Sequence, residues 1–389
     1  MEKVPILIVG GGIGGLATAL ALSRRKRRVH VIEKSPEFGE IGAGLQLAPN
    51  AMRVLDELGV LPEISKRAVY PSRLVWMDAV RGTRITAVDL GEAFQARYRH
   101  PYIVMHRSDL LDCLLAACRA EPLITLAANR AVVAVDDLGD LARARCADGT
   151  VYETALLIGA DGLWSTVRKL IADDVPVCNG YVAYRGTIPI EQMSQHAGLD
   201  NVVMWVGPDM HFVQYPIRRG ELYNQVAVFR SRRYSPGASG DWGTVDELDA
   251  HYAQTCDYVQ ACIKLMWRDK RWPMHDREPI LGWMRNRIAL LGDAAHPMFQ
   301  YIAQGACQAI EDASSIARNL EQAADDPAQA LRGYEAERAL RAARVQLTAR
   351  AMGAFFHLDG GPAIVRNKMM EARAADDYSM LDWLYGHQG

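Results

Sequence analysis

Apolar positions along this chain follow two regimes. At three places a short, continuous apolar run stops at glycine, followed in the last two by an acid: "ILIVGGGIGGLATALAL" from Ile6, "LLIGADGLWSTVR" from Leu156 and "IALLGDAAHP" from Ile288. A run that is apolar at every residue suits a parallel strand covered on both faces, because an exposed face would show alternation. Between residues 178 and 230 the pattern changes. "YVAYRGTIPI" and "NVVMWVGPDMHFVQYPIRRGELYNQVAVFR" are short alternating stretches broken by Gly and Pro, which predicts a mostly antiparallel sheet. Residues 328–356, rich in Ala, Arg and Leu, carry a long helical period with one packed and one solvated face. That helix fits a brace for the first domain, a dimer contact or plain intramolecular packing.

The first run has a specific chemistry. Gly10, Gly12 and Gly15 satisfy G-x-G-x-x-G directly after a strand and at the start of a helical pattern. The first glycine permits the tight turn, the second lets a pyrophosphate approach the backbone, and the third lets helix and strand pack closely. The phosphates then meet unpaired N–H groups at the helix start. "VHVIEK" places Glu33 at the end of the next strand, where an acid accepts from ribose hydroxyls and repels a 2′-phosphate. The motif predicts a bound ADP moiety and leaves FAD or NAD open. Asp161 and Asp293 end the other two runs. A plain NAD-dependent dehydrogenase, which would purify colourless, has no need of them. A long dinucleotide lying extended does, because its linking groups need partners beyond the first turn.

Composition narrows the classes. With a net charge of −2 over 389 residues, the chain as a whole attracts neither nucleic acid nor anionic membrane. The local run Arg24, Arg25, Lys26, Arg27 and Arg28 reads as a solvated helix C-terminus, where cations suit the helix dipole. The segment Val4 to Ser23 is uncharged, but its five glycines argue against a signal peptide or a membrane span. Seven dispersed cysteines without a CxxC pair predict free thiols in a reducing, cytoplasmic setting. No His/Cys cluster has zinc-ligand spacing, so no metal is expected.

With the glycine motif, Asp161–Gly162 and Gly292–Asp293 in this order, the chain resembles the single-component FAD-dependent aromatic hydroxylases, the family that includes salicylate and para-hydroxybenzoate hydroxylases. The stretches "HFVQYPIRRGELYNQVAVF", "RWPMHDREPI", "GDAAHPMFQYIAQGA" and "FHLDGGPAIVRNKM" look most similar to its 3-hydroxybenzoate 6-hydroxylase branch, essentially end to end. Two departures are the strongly basic run at 24–28 and the pair Met298–Phe299, which bears on pocket shape.

The resemblance implies an α/β fold with four parts. Residues 1–175 would be the first part of a Rossmann-like FAD-binding domain, with an insertion near 70–105 that belongs to the substrate domain. Residues 176–275 would form a mostly antiparallel substrate-binding sheet, 276–325 the second FAD-binding part, and 326–389 a C-terminal helical segment. It implies FAD as cofactor, NADH and O2 as co-substrates, a small aromatic acid as substrate and a homodimer. No second nucleotide motif occurs, so the reductant would visit transiently. The implied reaction is hydroxylation of 3-hydroxybenzoate to 2,5-dihydroxybenzoate through an electrophilic flavin hydroperoxide. Salicylate 1-hydroxylase and 6-hydroxynicotinate 3-monooxygenase are the alternatives within the class.

The resemblance also implies residue roles. Glu33 would bind ribose and Asp293 the ribityl–pyrophosphate region. Arg107, in "HRSDLL", would contact the linking chain or be an exposed helix-start cation. Asp161 would lie near the pyrophosphate, cap the following helix, or do both. Gly305 and Ala306 would open a helix aimed at the flavin's pyrimidine edge, where its dipole stabilises the reduced ring. Pro297 would shape the turn beside the ring, and His296 would be structural. His211 and Tyr215, four apart, face one way in a regular strand. A lone His on an apolar strand otherwise reads as core. As a site residue His211 is the first choice for phenol base, with Tyr215 and Gln300 orienting phenol or carboxylate. No residue is identified as the carboxylate's main partner.

Overall fold

The three apolar runs are neighbouring strands of one sheet. In the computed structural model, which describes residues 1–39, 43–193, 199–237, 240–323 and 326–388, strands Glu2–Val9, Val151–Gly159 and Ile288–Leu290 lie parallel and side by side. Val29–Ile32 and Ile124–Ala127 continue the sheet in the same direction. Val9 is level with both Gly159 and Ile32, and Gly159 is level with Leu290. Register therefore delivers the glycine turn, Glu33, Asp161 and Asp293 to one edge, the edge at which open parallel sheets bind ligands. Leu7, Ile8, Leu157, Ile158 and Leu290 are fully buried, as two-sided cover requires.

A second sheet has seven strands among the described residues. Its order is Arg271–Asp276, Val177–Pro189, Leu222–Arg230, Met210–Ile217, Val202–Gly207, Arg73–Asp78 and Arg84–Asp89. Every pairing is antiparallel except that of Val202–Gly207 with Arg73–Asp78. Alternation sorts its side chains. Trp205, Phe212, Tyr223, Ala227 and Phe229 pack on helices Val245–Tyr252 and Asp257–Lys264. Met204, Val206, Val226 and Val228 turn the other way, toward Tyr301 and Phe356. The α/β class, with a Rossmann-like part and a mostly antiparallel sheet, is the one the sequence predicts.

Helices Gly305–Gln322 and Pro327–Phe356 join the two parts. Pro327–Phe356 buries Leu331, Tyr334, Ala342, Val345 and Phe356 on one side, but also Arg338. The Arg338 guanidinium ion-pairs with Glu311, donates to Asp312 Oδ1 at 2.8 Å and donates to the Gln308 side chain at 2.8 Å. Arg341 adds two bonds to Glu311, and its remaining donors reach the carbonyls of Trp383 and Leu384 in the C-terminal tail. Burial alone would raise the Glu311 carboxyl, but Arg338, Arg341 and Asn50 bring it down to about 2.

The basic run is only partly a solvated helix end. Arg24 donates to the Leu58 carbonyl at 3.1 Å, Arg25 pairs with Glu321 at 2.9 Å, and Arg27 donates to the Leu320 carbonyl at 3.4 Å. These cations tie the first helix, Ile13–Arg24, to two others. No described helix is long and apolar enough to cross a membrane.

Arg338→Ala takes from two buried carboxylates the cation they share, leaving Glu311 to Arg341 and Asp312 to His296, so it should cost about 3–5 kcal/mol in denaturant unfolding, far more than loss of an exposed arginine. Glu311 sets an acid limit of its own. Its folded pKa is depressed, so its contribution is complete above the unfolded value of 4.5 and is lost as pH falls toward about 2. A stability titration should therefore lose roughly 3 kcal/mol across that window in the native protein, and a Glu311→Gln variant should lose correspondingly less.

Candidate active site

The glycine turn is closed on two sides and open on the third. A Cβ at Gly10, whose φ is +113°, would sit 2.3 Å from the Ala160 carbonyl, and one at Gly15 would sit 2.0 Å from the Gly10 carbonyl. A Cβ at Gly12 would meet no atom within 4 Å. Helix Ile13–Arg24 starts there without a side-chain cap, so its first N–H groups face the open space. Glu33 accepts from Gly11 N at 2.8 Å and Ser35 N at 3.0 Å, which fixes its carboxylate and leaves lone pairs for hydroxyl donors.

At the GD motif two acids divide the work. Asp312, buried under the loop, accepts from Gly292 N at 3.0 Å and bonds His296 Nε2 at 2.6 Å. Burial would raise its carboxyl; His296 and Arg338 outweigh that and hold it below the usual range. Asp293 is thereby released from loop duty. It is exposed to the cavity and has no hydrogen-bond partner among the described residues. A Cβ on Gly305 would lie 4.0 Å from its Oδ1, so the uncapped start of helix Gly305–Gln322 stands beside it. Ala306 also lines the cavity. Pro297 and Gly15 lie behind the cavity wall; the Pro297 carbonyl accepts from Gln346 at 2.9 Å.

The DG motif is built differently. Asp161 spends its carboxylate on Ser165 Oγ at 2.5 Å, Thr166 N at 2.7 Å and Val167 N at 3.2 Å, so it caps the following turn while its residue lines the cavity. Arg168, missed in the sequence, donates to the carbonyls of Ala294 at 2.9 Å and Ala295 at 2.7 Å and so ties the DG turn to the GD loop. An arginine closing "DGLWSTVR" in an apolar setting was its only signal. Arg107 opens helix Arg107–Ala120 at the cavity wall.

One cavity of about 1330 Å³ runs from Glu33 past Gly12, Asp161 and Asp293 to His211. That exceeds the usual volume of a single small-ligand site, roughly 300–1,000 Å³, and accommodates a dinucleotide with a second ligand. The far end is roofed by the second sheet. Arg185, Val226, Val213, Met204 and Trp76 are level across five strands, and His211 and Tyr215 flank Val213 on its own strand. In this mostly apolar wall three polar side chains stand out.

Arg185 donates to Gln300 Oε1, its Nε has no partner, and the Trp272 ring lies 6.0 Å away. It has no carboxylate partner among the described residues, and burial pushes its pKa down. Burial raises the Tyr215 phenol, so it stays protonated. His211 Nδ1 lies 2.8 Å from His357 Nε2, and burial lowers the His211 pKa to about 3. The ring is neutral, and its Nε2 has no partner among the described residues. Arg185 was missed because one charge in an alternating strand reads as solvent-facing. His357 gave no sequence signal, being 146 residues from its partner.

The open cradle at Gly12, the unpartnered Asp293 and two uncapped helix starts fit FAD. Gly12→Val should keep its fold, since the Cβ enters open space at an ordinary φ of −76°, but should purify without flavin absorbance. Gly15→Val should lose thermal stability as well, because its side chain drives into the Gly10 carbonyl.

A family model described as FAD binding domain matches residues 3–349. The chain is 40% identical to 3-hydroxybenzoate 6-hydroxylase 1 of Aquipseudomonas alcaligenes over 386 residues, covering 98% of each chain. It is 39% identical to the 3-hydroxybenzoate 6-hydroxylase of Polaromonas naphthalenivorans over 385 residues, covering 98% of this chain and 96% of the relative. Among solved structures, Klebsiella pneumoniae HpxO complexed with FAD and uric acid superposes with a TM-score of 0.86 at 26% identity, covering 100% of this chain and 98% of that one. The chain belongs to the FAD binding domain family and is a flavoprotein aromatic monooxygenase with FAD as its cofactor.

Proposed function

We propose that this enzyme hydroxylates 3-hydroxybenzoate para to its hydroxyl, giving 2,5-dihydroxybenzoate, with NADH and O2 as co-substrates. The observation that carries the reading is the pairing of Arg185 and His211 on one apolar sheet face. Arg185 is a cation without a carboxylate of its own; His211 is a neutral imidazole with a free edge. At about 4.8 Å per strand, Arg185 is two strands, roughly 10 Å of backbone, from Val213, and His211 is two residues along from Val213. An aromatic acid laid over Val213 and Val226 meets a cation at one end and a base at the other. The names of the two relatives favour the meta-hydroxy acid.

Bound FAD would supply the redox chemistry, taking electrons from NADH and passing one oxygen atom of O2 to the ring. The protein's part begins with Arg185, which binds the substrate carboxylate and is itself oriented by Gln300. Tyr215 donates from its phenol. His211 takes the substrate's phenol proton at Nε2, the phenolate left beside the ring offsetting the burial that otherwise holds this imidazole low, and the ring carbons ortho and para to that oxygen become electron-rich. In 3-hydroxybenzoate the para carbon is position 6. Phe299, Tyr301, Phe355 and Phe356 wall this end and keep water from the reacting atoms. Toward the cofactor, Glu33 would hold the ribose hydroxyls, the turn at Gly12 and Arg107 the phosphates, Asp293 the ribityl chain, and the helix start at Gly305 and Ala306 the pyrimidine edge. Asp161 acts through the turn it caps. The division into parts at 175, 275 and 325 belongs to the same proposal, though residue 325 lies outside the described residues.

The test is turnover of FAD-loaded protein with NADH, O2 and 3-hydroxybenzoate, following product by chromatography. Expected is 2,5-dihydroxybenzoate nearly one for one with NADH. Peroxide without that product sinks the substrate, and salicylate and 6-hydroxynicotinate are assayed next. Arg185→Gln should raise the KM for 3-hydroxybenzoate by roughly 10- to 150-fold, the worth of one charge-assisted hydrogen bond of about 1.5–3 kcal/mol. Because the His211 pKa lies near 3, its basic form persists on acidification. The activity of native enzyme should show no ionisation of His211 between pH 7 and 5, where an ordinary histidine would titrate.

A further inference from the structure

We infer that His357 is a positioning residue that holds His211 in the one tautomer able to act as a base. The two rings meet nitrogen to nitrogen, His211 Nδ1 to His357 Nε2 at 2.8 Å, and both residues are buried. With two neutral imidazoles, one nitrogen must donate and the other accept. If His357 donated, the His211 proton would sit on Nε2, and the edge facing the cavity would be a donor with no lone pair to offer. If His211 donates from Nδ1, its Nε2 presents a lone pair to the cavity. Only the second arrangement serves proton removal, so the inference rests on the reading that His211 takes the phenol proton.

The surroundings of His357 fix its ring and keep it neutral. Its ring is fixed by stacking on Tyr181, with centroids 4.6 Å apart and planes at 18°. The Tyr181 hydroxyl is in turn held by Asp209 at 3.1 Å. His357 also terminates helix Pro327–Phe356, and Arg366, anchored on the carbonyls of Phe355 and Phe356, places a positive charge near it. Burial above all, then His211 and the Arg366 charge, disfavour an imidazolium at His357. A ring so held does not take the proton over, so the base function stays on His211, the ring that lines the cavity. This is the logic by which a third group orients the base of a catalytic triad, performed here by a neutral ring.

Two measurements test it. Nitrogen NMR of the FAD-loaded, 15N-histidine-labelled protein, with His211 assigned by the signal lost in His211→Phe, should show Nδ1 protonated and Nε2 bare. A protonated Nε2 overturns the proposal. This readout needs no turnover, so it stands even if 3-hydroxybenzoate proves not to be the substrate. In steady-state kinetics, His357→Gln, whose amide oxygen still accepts, should keep kcat within about threefold, whereas His357→Phe, which stacks but cannot accept, should lose roughly ten- to a thousand-fold in kcat with KM within about threefold. Equal kcat in the two variants, with flavin absorbance retained in both, would mean that His357 only packs.

Discussion

A guanidinium buried between two carboxylates is the constraint on which the rest of the molecule hangs. Arg338 shows 1% exposure, and Glu311 and Asp312 show 3% and 0%. Each charge taken from water costs several kcal/mol, so the cluster is stable only because every partner is in place. Arg338 belongs to the long C-terminal helix, the acids to helix Gly305–Gln322, and Asp312 also grips Gly292 and His296 in the GD loop. Through Arg341 the tail carbonyls of Trp383 and Leu384 join the same set. One network thus sets the position of the second helix start, the GD loop and the chain's end together.

The gain appears one residue away from the network. Because Asp312 satisfies the loop from beneath, Asp293 owes nothing to its own backbone and faces the cavity with its carboxylate open. At the DG motif the arrangement is reversed. Asp161 does the capping itself, and the tie to the neighbouring loop falls to Arg168. Two similar strand-end aspartates therefore have different standing, one open to the cavity and one spent on the turn that shapes the wall.

The substrate end rests on a different rule, the two-residue alternation of a strand. Phe212 and Gln214 go to the helical side, where Gln214 accepts from Trp205 and Tyr258. His211, Val213 and Tyr215 go to the cavity. The same alternation on Val177–Pro189 sends Arg185 to the cavity and Tyr184 to the helical side, so a cation that would ordinarily be solvated is carried into the cavity wall. Gln300, from the GD segment, meets it there, which links the two ends of the cavity.

What the sequence determined by itself was local. An apolar run and the glycine or acid that ends it are adjacent in the chain, and Glu33 stands at the end of the very next strand, so backbone chemistry makes Gly10, Gly12, Gly15, Glu33, Asp161 and Asp293 legible as candidates, and with them the nucleotide edge and the α/β class. The parity of His211 and Tyr215 was equally local. The tertiary structure alone decided which long-range partners those residues meet. Arg338 with Asp312, Arg168 with the GD loop, Arg185 with Gln300 and His211 with His357 are pairs 26, 126, 115 and 146 residues apart. Such pairs leave no pattern in a chain, because a buried charge or imidazole looks like a solvated one until its partner is known. The basic run at 24–28 makes the same point in reverse: read as solvated, three of its side chains find carbonyls or an acid on other helices. Hydrophobic period and turn chemistry place the elements; only their packing tells which polar groups are paired and which are left to face a ligand.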